Sequence, residues 1–185
     1  MAIPNSRQLL TVDEFQSMAE AGVFAEDERL ELIRGEIVEM TPIGDPHALS
    51  VMMACDFLSD LKPRGLVSPQ NPLRLPRQQS VPQPDVVLLR RRPDFKLRPP
   101  GPEDVFLVVE VSDSSLAYDR DVKIPLYAES GIPEAWLIDL KSKTIFVYRQ
   151  PSPEGYREVN QYRRGEAISP EAFPEALFTV ESILG

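Results

Sequence analysis

Val105-Phe106-Leu107-Val108-Val109-Glu110-Val111 is the run that most limits what this chain can fold into. It is apolar at both alternating sets of positions, so as a strand it must be covered on both faces. That describes a central strand of a sheet with layers packed on each side. A second compact β-rich run, Asp85-Val86-Val87-Leu88-Leu89, precedes it, and Ala135-Trp136-Leu137-Ile138-Asp139 follows it. Helical and hairpin patterns occupy the flanks, so the class expected is α/β (α+β). At 185 residues the chain has the length of one domain of ordinary size.

The flanks can be read in order. Thr11 and Glu14 have the spacing of a capping box for a short helix, with Phe15, Met18 and Ala19 inward and Gly22 at its end. Two alternating runs, 29–33 and 36–40, are divided by Arg34-Gly35, the pattern of a β-hairpin with one wet face. Asp45 is expected to cap a helix over about 46–62, with Leu49, Met52, Met53, Leu58 and Leu61 as its apolar stripe. Prolines crowd residues 63–102 and predict turns and rigid connectors. Short extended pieces are expected around Leu66-Val67 and 73–75. A helix is expected over 119–130, ended by Gly131, then a C-terminal β-meander through Thr144 to Tyr162 and a short terminal turn or helix after Pro170.

Composition narrows the chemistry. No apolar run reaches the roughly 18–20 residues of a membrane span, and the opening residues lack a signal-peptide pattern, so a cytoplasmic protein with no membrane partner is expected. The net charge of −9 argues against a broad basic face for nucleic acid, though not against a local basic channel. Cys55 and His47 are the only residues of their types, which argues against Cys-rich zinc sites and His-dominated metal sites. A metal here would be a hard cation held by carboxylates. His47 and Cys55, eight residues apart in one predicted helix, face different directions and form no nucleophilic triad. Neither a GxGxxG pattern nor a Walker loop is present.

Two carboxylates need an explanation. Glu110 inside an apolar strand costs several kcal/mol if ionised and unpaired, so it needs a cationic partner, a metal, a raised pKa or an exposed strand end. Asp85, after Pro84 and 25 residues earlier, opens a second apolar strand and poses the same question. Acids at the ends of adjacent strands can converge on one Mg²⁺, which takes one or two carboxylates plus water and phosphate oxygens. Lys123, 13 residues after Glu110, could then orient or help deprotonate the attacking water. The competing reading of Lys123 is an i,i+4 pair with Asp119, worth about 0.3–0.5 kcal/mol.

These residues carry a resemblance. Pro84-Asp85-Val-Val, then Val-Val-Glu110-Val-Ser, Asp119-x-x-x-Lys123, Tyr127 and Gly131-Ile-Pro-Glu-Ala-Trp136-Leu-Ile-Asp139 resemble the Uma-type endonuclease family, placed in the PD-(D/E)XK nuclease superfamily. Glu31-Leu-Ile-Arg-Gly35-Glu-Ile-Val and His47 extend the match upstream, so it covers most of the chain. The resemblance implies a restriction-endonuclease-like fold, a mixed sheet flanked by helices. It also implies a phosphodiesterase site using Mg²⁺ (or Mn²⁺), with Asp85 and Glu110 as metal ligands. The chain departs from the superfamily pattern at Ser112, where a lysine would stand, and the lysine role passes to Lys123. Glu31 and His47 match recurring positions and are candidate site residues, as is Asp119. For Glu31 the alternation with Leu30 and Leu32 fits a solvent-facing hairpin residue, and for His47 a local hydrogen bond in the first helical turn is the competing reading.

Arg74, Arg77, Arg90, Arg91, Arg92, Lys96 and Arg98 gather around the Asp85 strand and are the candidate phosphate contacts to DNA. The alternative is a solvated basic segment. Three functions follow: a metal-dependent DNA endonuclease, an inactive nuclease-like scaffold that binds partners, and a small phosphodiesterase acting on RNA or nucleotides. A homodimer is compatible with double-strand cleavage and with an exposed edge of the C-terminal meander.

Overall fold

Residues Val105–Ser112 form a central strand, β5, and the structure shows why their pattern is apolar on both sides. The computed structural model describes residues 8–184 except positions 26, 43, 63 and 96. In chain order the elements are α1 (Val12–Glu20), the hairpin β1 (Leu30–Ile33) and β2 (Glu36–Glu39), α2 (Asp45–Ser59), β3 (Gly65–Pro69), β4 (Val86–Arg90) and β5. A continuous helical segment follows, made of α3 (Leu116–Tyr118), a π-helical stretch Asp119–Lys123 and α4 (Ile124–Glu129). The chain closes with β6 (Glu134–Asp139), β7 (Thr144–Ser152), β8 (Gly155–Tyr162), the small pair β9 (Ala167–Ile168) and β10 (Phe178–Thr179), and α5 (Val180–Leu184).

Six strands make one mixed sheet in the order β3-β4-β5-β6-β7-β8. Only β5 and β6 run parallel, and the helical segment is the crossover between them. Odd and even positions of β5 enter different cores. Leu107, Val109 and Val111 join Ala54, Phe57 and Leu58 of α2, with Trp136 and Ile183. Val105 and Val108 join Ile124, Leu126 and Tyr127 of α4, with Val87, Leu89 and Leu137. A register shift at Leu88/Leu89 accounts for the change of phase near Val105. Each face is therefore a separate apolar layer, and Glu110 has the parity of the α4 face.

Several details differ from the sequence expectation. The capping box at Thr11 is present, but Ala19 is exposed and Val12 and Phe15 are the buried residues of α1. Gly44, not Asp45, caps α2. The buried stripe of that helix is Ser50, Val51, Ala54, Phe57 and Leu58, while Leu49 and Met52 are exposed. The methionines and Leu49 shifted the sequence reading by about one position, because hydrophobicity alone did not separate them from Val51 and Ala54. The hairpin turns through Arg34 and Gly35, both at positive φ, the conformation of a two-residue turn that matches strand twist. A Cβ at Gly35 would also lie 2.8 Å from Leu9 Cβ. The β9–β10 pair in the tail was not expected. Among the described residues no helix is long and apolar enough to cross a membrane.

Candidate active site

The antiparallel register pairs Val86 with Val109, so Asp85, one residue before β4, stands across from Glu110. Both have the parity of the α4 face, and directly opposed side chains have Cβ atoms about 4.5–5.5 Å apart. Asp85 is fixed by its surroundings. Its carbonyl accepts from Gln70 N–H at 3.0 Å, and its Oδ2 accepts from Val111 N–H at 2.9 Å. His47, on the first turn of α2, brings Nε2 within 3.0 Å of the same Oδ2. The histidine bonds across the fold, not locally. That bond is the main cause of a raised His47 pKa.

Glu110 is 2% exposed and Lys123 is 4% exposed. Lys123 Nζ lies 3.0 Å from Glu110 Oε1 and 3.1 Å from Glu31 Oε1. Tyr127, one turn further along the helix, donates its phenol to Glu110 Oε1. Glu31 is also buried, against the expectation of a solvent-facing residue, and its Oε1 accepts from Gln83 N–H at 2.6 Å. The hairpin has two covered faces: Leu32 packs with Val12, Phe15 and Val81, and Glu31 turns to the cleft. Simple alternation identifies the two faces of a strand but not whether the polar one is wet.

The lysine reaches the strand end because the helix is tied to it. Ser112 Oγ and Ser115 Oγ donate to Asp119 Oδ2 at 2.6 and 2.5 Å. The competing i,i+4 pair of Asp119 with Lys123 does not form: Asp119 anchors the helix to β5, and Lys123 pairs with the two glutamates. Within the π stretch Ile124 N–H donates to Asp119 C=O, five residues back. Pro125 explains the widening, since it offers no N–H and its ring crowds the carbonyl four residues earlier. The helix thus begins at Leu116, before the expected position 119, and Gly131 at φ +77° follows its end.

Glu31, His47, Asp85, Glu110, Asp119 and Lys123 line a cleft of about 510 Å³. Burial lifts the Glu110 carboxyl to about 8, only partly opposed by Lys123, with further lift from Asp85. Lys123 keeps its proton more firmly than an ordinary lysine: burial acts against the charge, but Glu110 and Glu31 outweigh it. The phenol of Tyr118, also in the cleft, is pushed up to about 12 by burial and has no hydrogen-bond partner among the described residues.

The donor set fits a hard cation. The hydrogen bonds and ion pairs fall on Oδ2 of Asp85 and Oε1 of Glu110. Oδ1 and Oε2 are left without a protein partner among the described residues. Two carboxylates with open positions suit Mg²⁺ or Mn²⁺, which complete their shells with water and phosphate oxygens. Among the described residues there is no group of three or more His, Cys, Asp or Glu side chains arranged as a complete metal cage.

The basic residues sit elsewhere. Arg90, Arg91 and Arg92 begin at the opposite end of β4 from Asp85, about 17 Å along the strand at its usual rise. Arg90 lies over the Phe106 ring at 4.2 Å, and Arg91 Nε donates to Lys62 C=O at 2.7 Å. Arg92 pairs with Asp94 and Asp104 at 2.8 and 2.9 Å, and Arg98 pairs with Glu103 and Asp104. Arg74 pairs with Asp13 at 2.7 Å, while Arg77 is exposed on a 3₁₀ turn. Lys96 lies outside the described residues. The sequence reading did not single out Arg29, Gln83 or Tyr118, all of which line the cleft, and gave Tyr127 no role. Only the position of Arg29 two residues before Glu31 signalled a shared face.

A family model for Uma2, described as "Putative restriction endonuclease", matches residues 12–181. Among solved structures, a crystal structure described as a "putative nuclease belonging to DUF820" from Anabaena variabilis superposes with a TM-score of 0.73 at 17% identity. The superposition covers 95% of this chain and 97% of that one, which establishes a shared fold. No curated protein matches.

Proposed function

The chain belongs to the Uma2 family of restriction-endonuclease type, and from that premise we propose that it is a divalent-cation-dependent endonuclease hydrolysing DNA phosphodiester bonds. The observation that carries the proposal is the convergence of Asp85, Glu110 and Lys123, from the start of β4, from β5 and from the following helix, on one cleft. Asp85 Oδ1 and Glu110 Oε2 are the oxygens that would hold Mg²⁺ or Mn²⁺. When bound, such an ion activates water and stabilises charge developing on the phosphate.

The protein's own groups have distinct tasks in this reading. Lys123 stays protonated, so it orients the attacking water by donating a hydrogen bond and does not act as a base. Glu31 holds the ammonium from its other side, and Tyr127 fixes the rotamer of Glu110. His47 and the Val111 N–H orient Asp85. A homodimer through the β8 edge would supply the two sites that double-strand cleavage uses.

Cleavage of supercoiled plasmid and of labelled single strands in Mg²⁺ or Mn²⁺ tests the proposal. Wild type should cut, and folded Asp85→Ala and Glu110→Ala should not. A wild type that cuts neither substrate and binds no divalent cation would leave the inactive-scaffold reading. Cleavage confined to short RNA or nucleotides would favour the small-phosphodiesterase reading.

A further inference from the structure

The nuclease reading needs a cationic group to receive the substrate's phosphates, and the charged residues lining the cleft are mostly acidic. Lys123, one of its two strong bases, is buried and committed to Glu31 and Glu110. Arg29 is the other. It is half-buried, and its guanidinium has no ion pair or hydrogen bond among the described residues. Most arginines elsewhere are engaged: Arg34 with Glu129, Arg74 with Asp13, Arg92 with Asp94 and Asp104, Arg149 with Glu134.

The backbone of Arg29 is held while its side chain is not. Its carbonyl accepts from Met40 N–H at 2.8 Å, which extends the β1–β2 ladder by one step beyond the Leu30–Glu39 pair. Two residues before Glu31, it presents its side chain on the face that Glu31 turns to the cleft. Arg29 lines the same cleft as His47, which hydrogen-bonds Asp85, so the guanidinium stands in the site that the two carboxylates share. Among the described residues no protein partner explains this half-buried guanidinium among acidic neighbours. A planar fork of donors matches a phosphate.

We propose that Arg29 is the phosphate-binding residue of the cleft, gripping a phosphate of the strand whose neighbouring linkage lies at Asp85 and Glu110. This rests on the nuclease reading and adds the residue that receives the substrate. Because the arginines near β4 are engaged with other groups, the electrostatic part of binding is concentrated at this one side chain.

The test is fluorescence anisotropy of a short fluorescein-labelled single strand, and of the same sequence as a duplex, titrated across a salt series. Ca²⁺ replaces Mg²⁺ to keep the probe uncut. Arg29→Ala should weaken binding about tenfold or more and reduce the slope of log affinity against log salt by about 0.7–0.9. Arg29→Lys should retain the slope, and Arg157→Ala, on exposed β8 away from the cleft, should match wild type. Unchanged affinity and slope in Arg29→Ala, or weaker binding with the full wild-type slope, would overturn the assignment and leave the nuclease reading standing. Wild type that binds neither probe would overturn both.

Discussion

At Glu110 two effects oppose each other: burial favours the neutral acid, and Lys123 at 3.0 Å favours the carboxylate. Burial prevails, and the folded-state value of about 8 lies above the ordinary 4.5. Folding therefore takes up a proton between these values, and the metal-free protein loses stability as pH rises across that window. Glu110→Gln should flatten this dependence in urea unfolding at about pH 5 and about pH 8. His47 contributes in the same direction, since its raised pKa gives stability that is lost as pH rises through the folded value. Lys123→Met should cost about 3–5 kcal/mol by leaving the buried Glu31 carboxylate without its ammonium. Adding Glu31→Gln should recover part of that loss, and equal stability of single and double variants would show that Glu31 was never charged against the lysine. The sequence pointed to Asp85, Glu110 and Lys123 because charged residues in or beside apolar runs demand partners. It could not reveal Tyr127 as a partner of Glu110, because a tyrosine on an apolar helix face reads as core.

The segment from Leu116 to Glu129 is what carries the lysine to the strand. Ser112 stands where the superfamily pattern has a lysine, and its hydroxyl anchors Asp119, one turn ahead of Lys123. Ser112→Ala should cost about 1 kcal/mol and leave divalent-cation affinity nearly unchanged. It should lower single-turnover cleavage and raise hydrogen exchange in residues 116–129, whereas unchanged exchange would mean that Ser115 suffices as the tether. A helix here was legible from its apolar spacing and Gly131, but the π stretch was not, because only the packed position of Pro125 shows how the chain relieves its missing N–H. The hairpin was legible from Arg34-Gly35, while the burial of Glu31 depended on a tertiary neighbour, Gln83, 52 residues away. The stripe of α2 was only partly legible for a related reason: Leu58 and Leu61 are buried as expected, but Leu49 and Met52, equally apolar, are exposed.

Across the whole molecule, a sheet covered on both faces leaves its strand ends as the place where charged groups can gather, and the cleft lies at the end of β5 where β4 begins. The two-core sheet was legible because β4, β5 and β6 are short, nearly unbroken apolar runs. The cleft's electrostatics were not, since the clustered arginines attracted attention in sequence but are spent on Asp94, Asp104, Phe106 and Lys62 in space. With a net charge of −9 and these arginines engaged, the protein should bind nucleic acid with a shallow salt dependence. A slope corresponding to many phosphates would mean that the β4 arginines exchange their protein partners for DNA. That Asp85 and Glu110 act together as a hard-cation site is tested most directly by titration calorimetry with Mn²⁺. Wild type should show one binding event that tightens and releases fewer protons as pH rises through about 8, and that is lost in both Asp85→Ala and Glu110→Gln. Binding that survives in either folded variant, or that is independent of pH across that range, would contradict it.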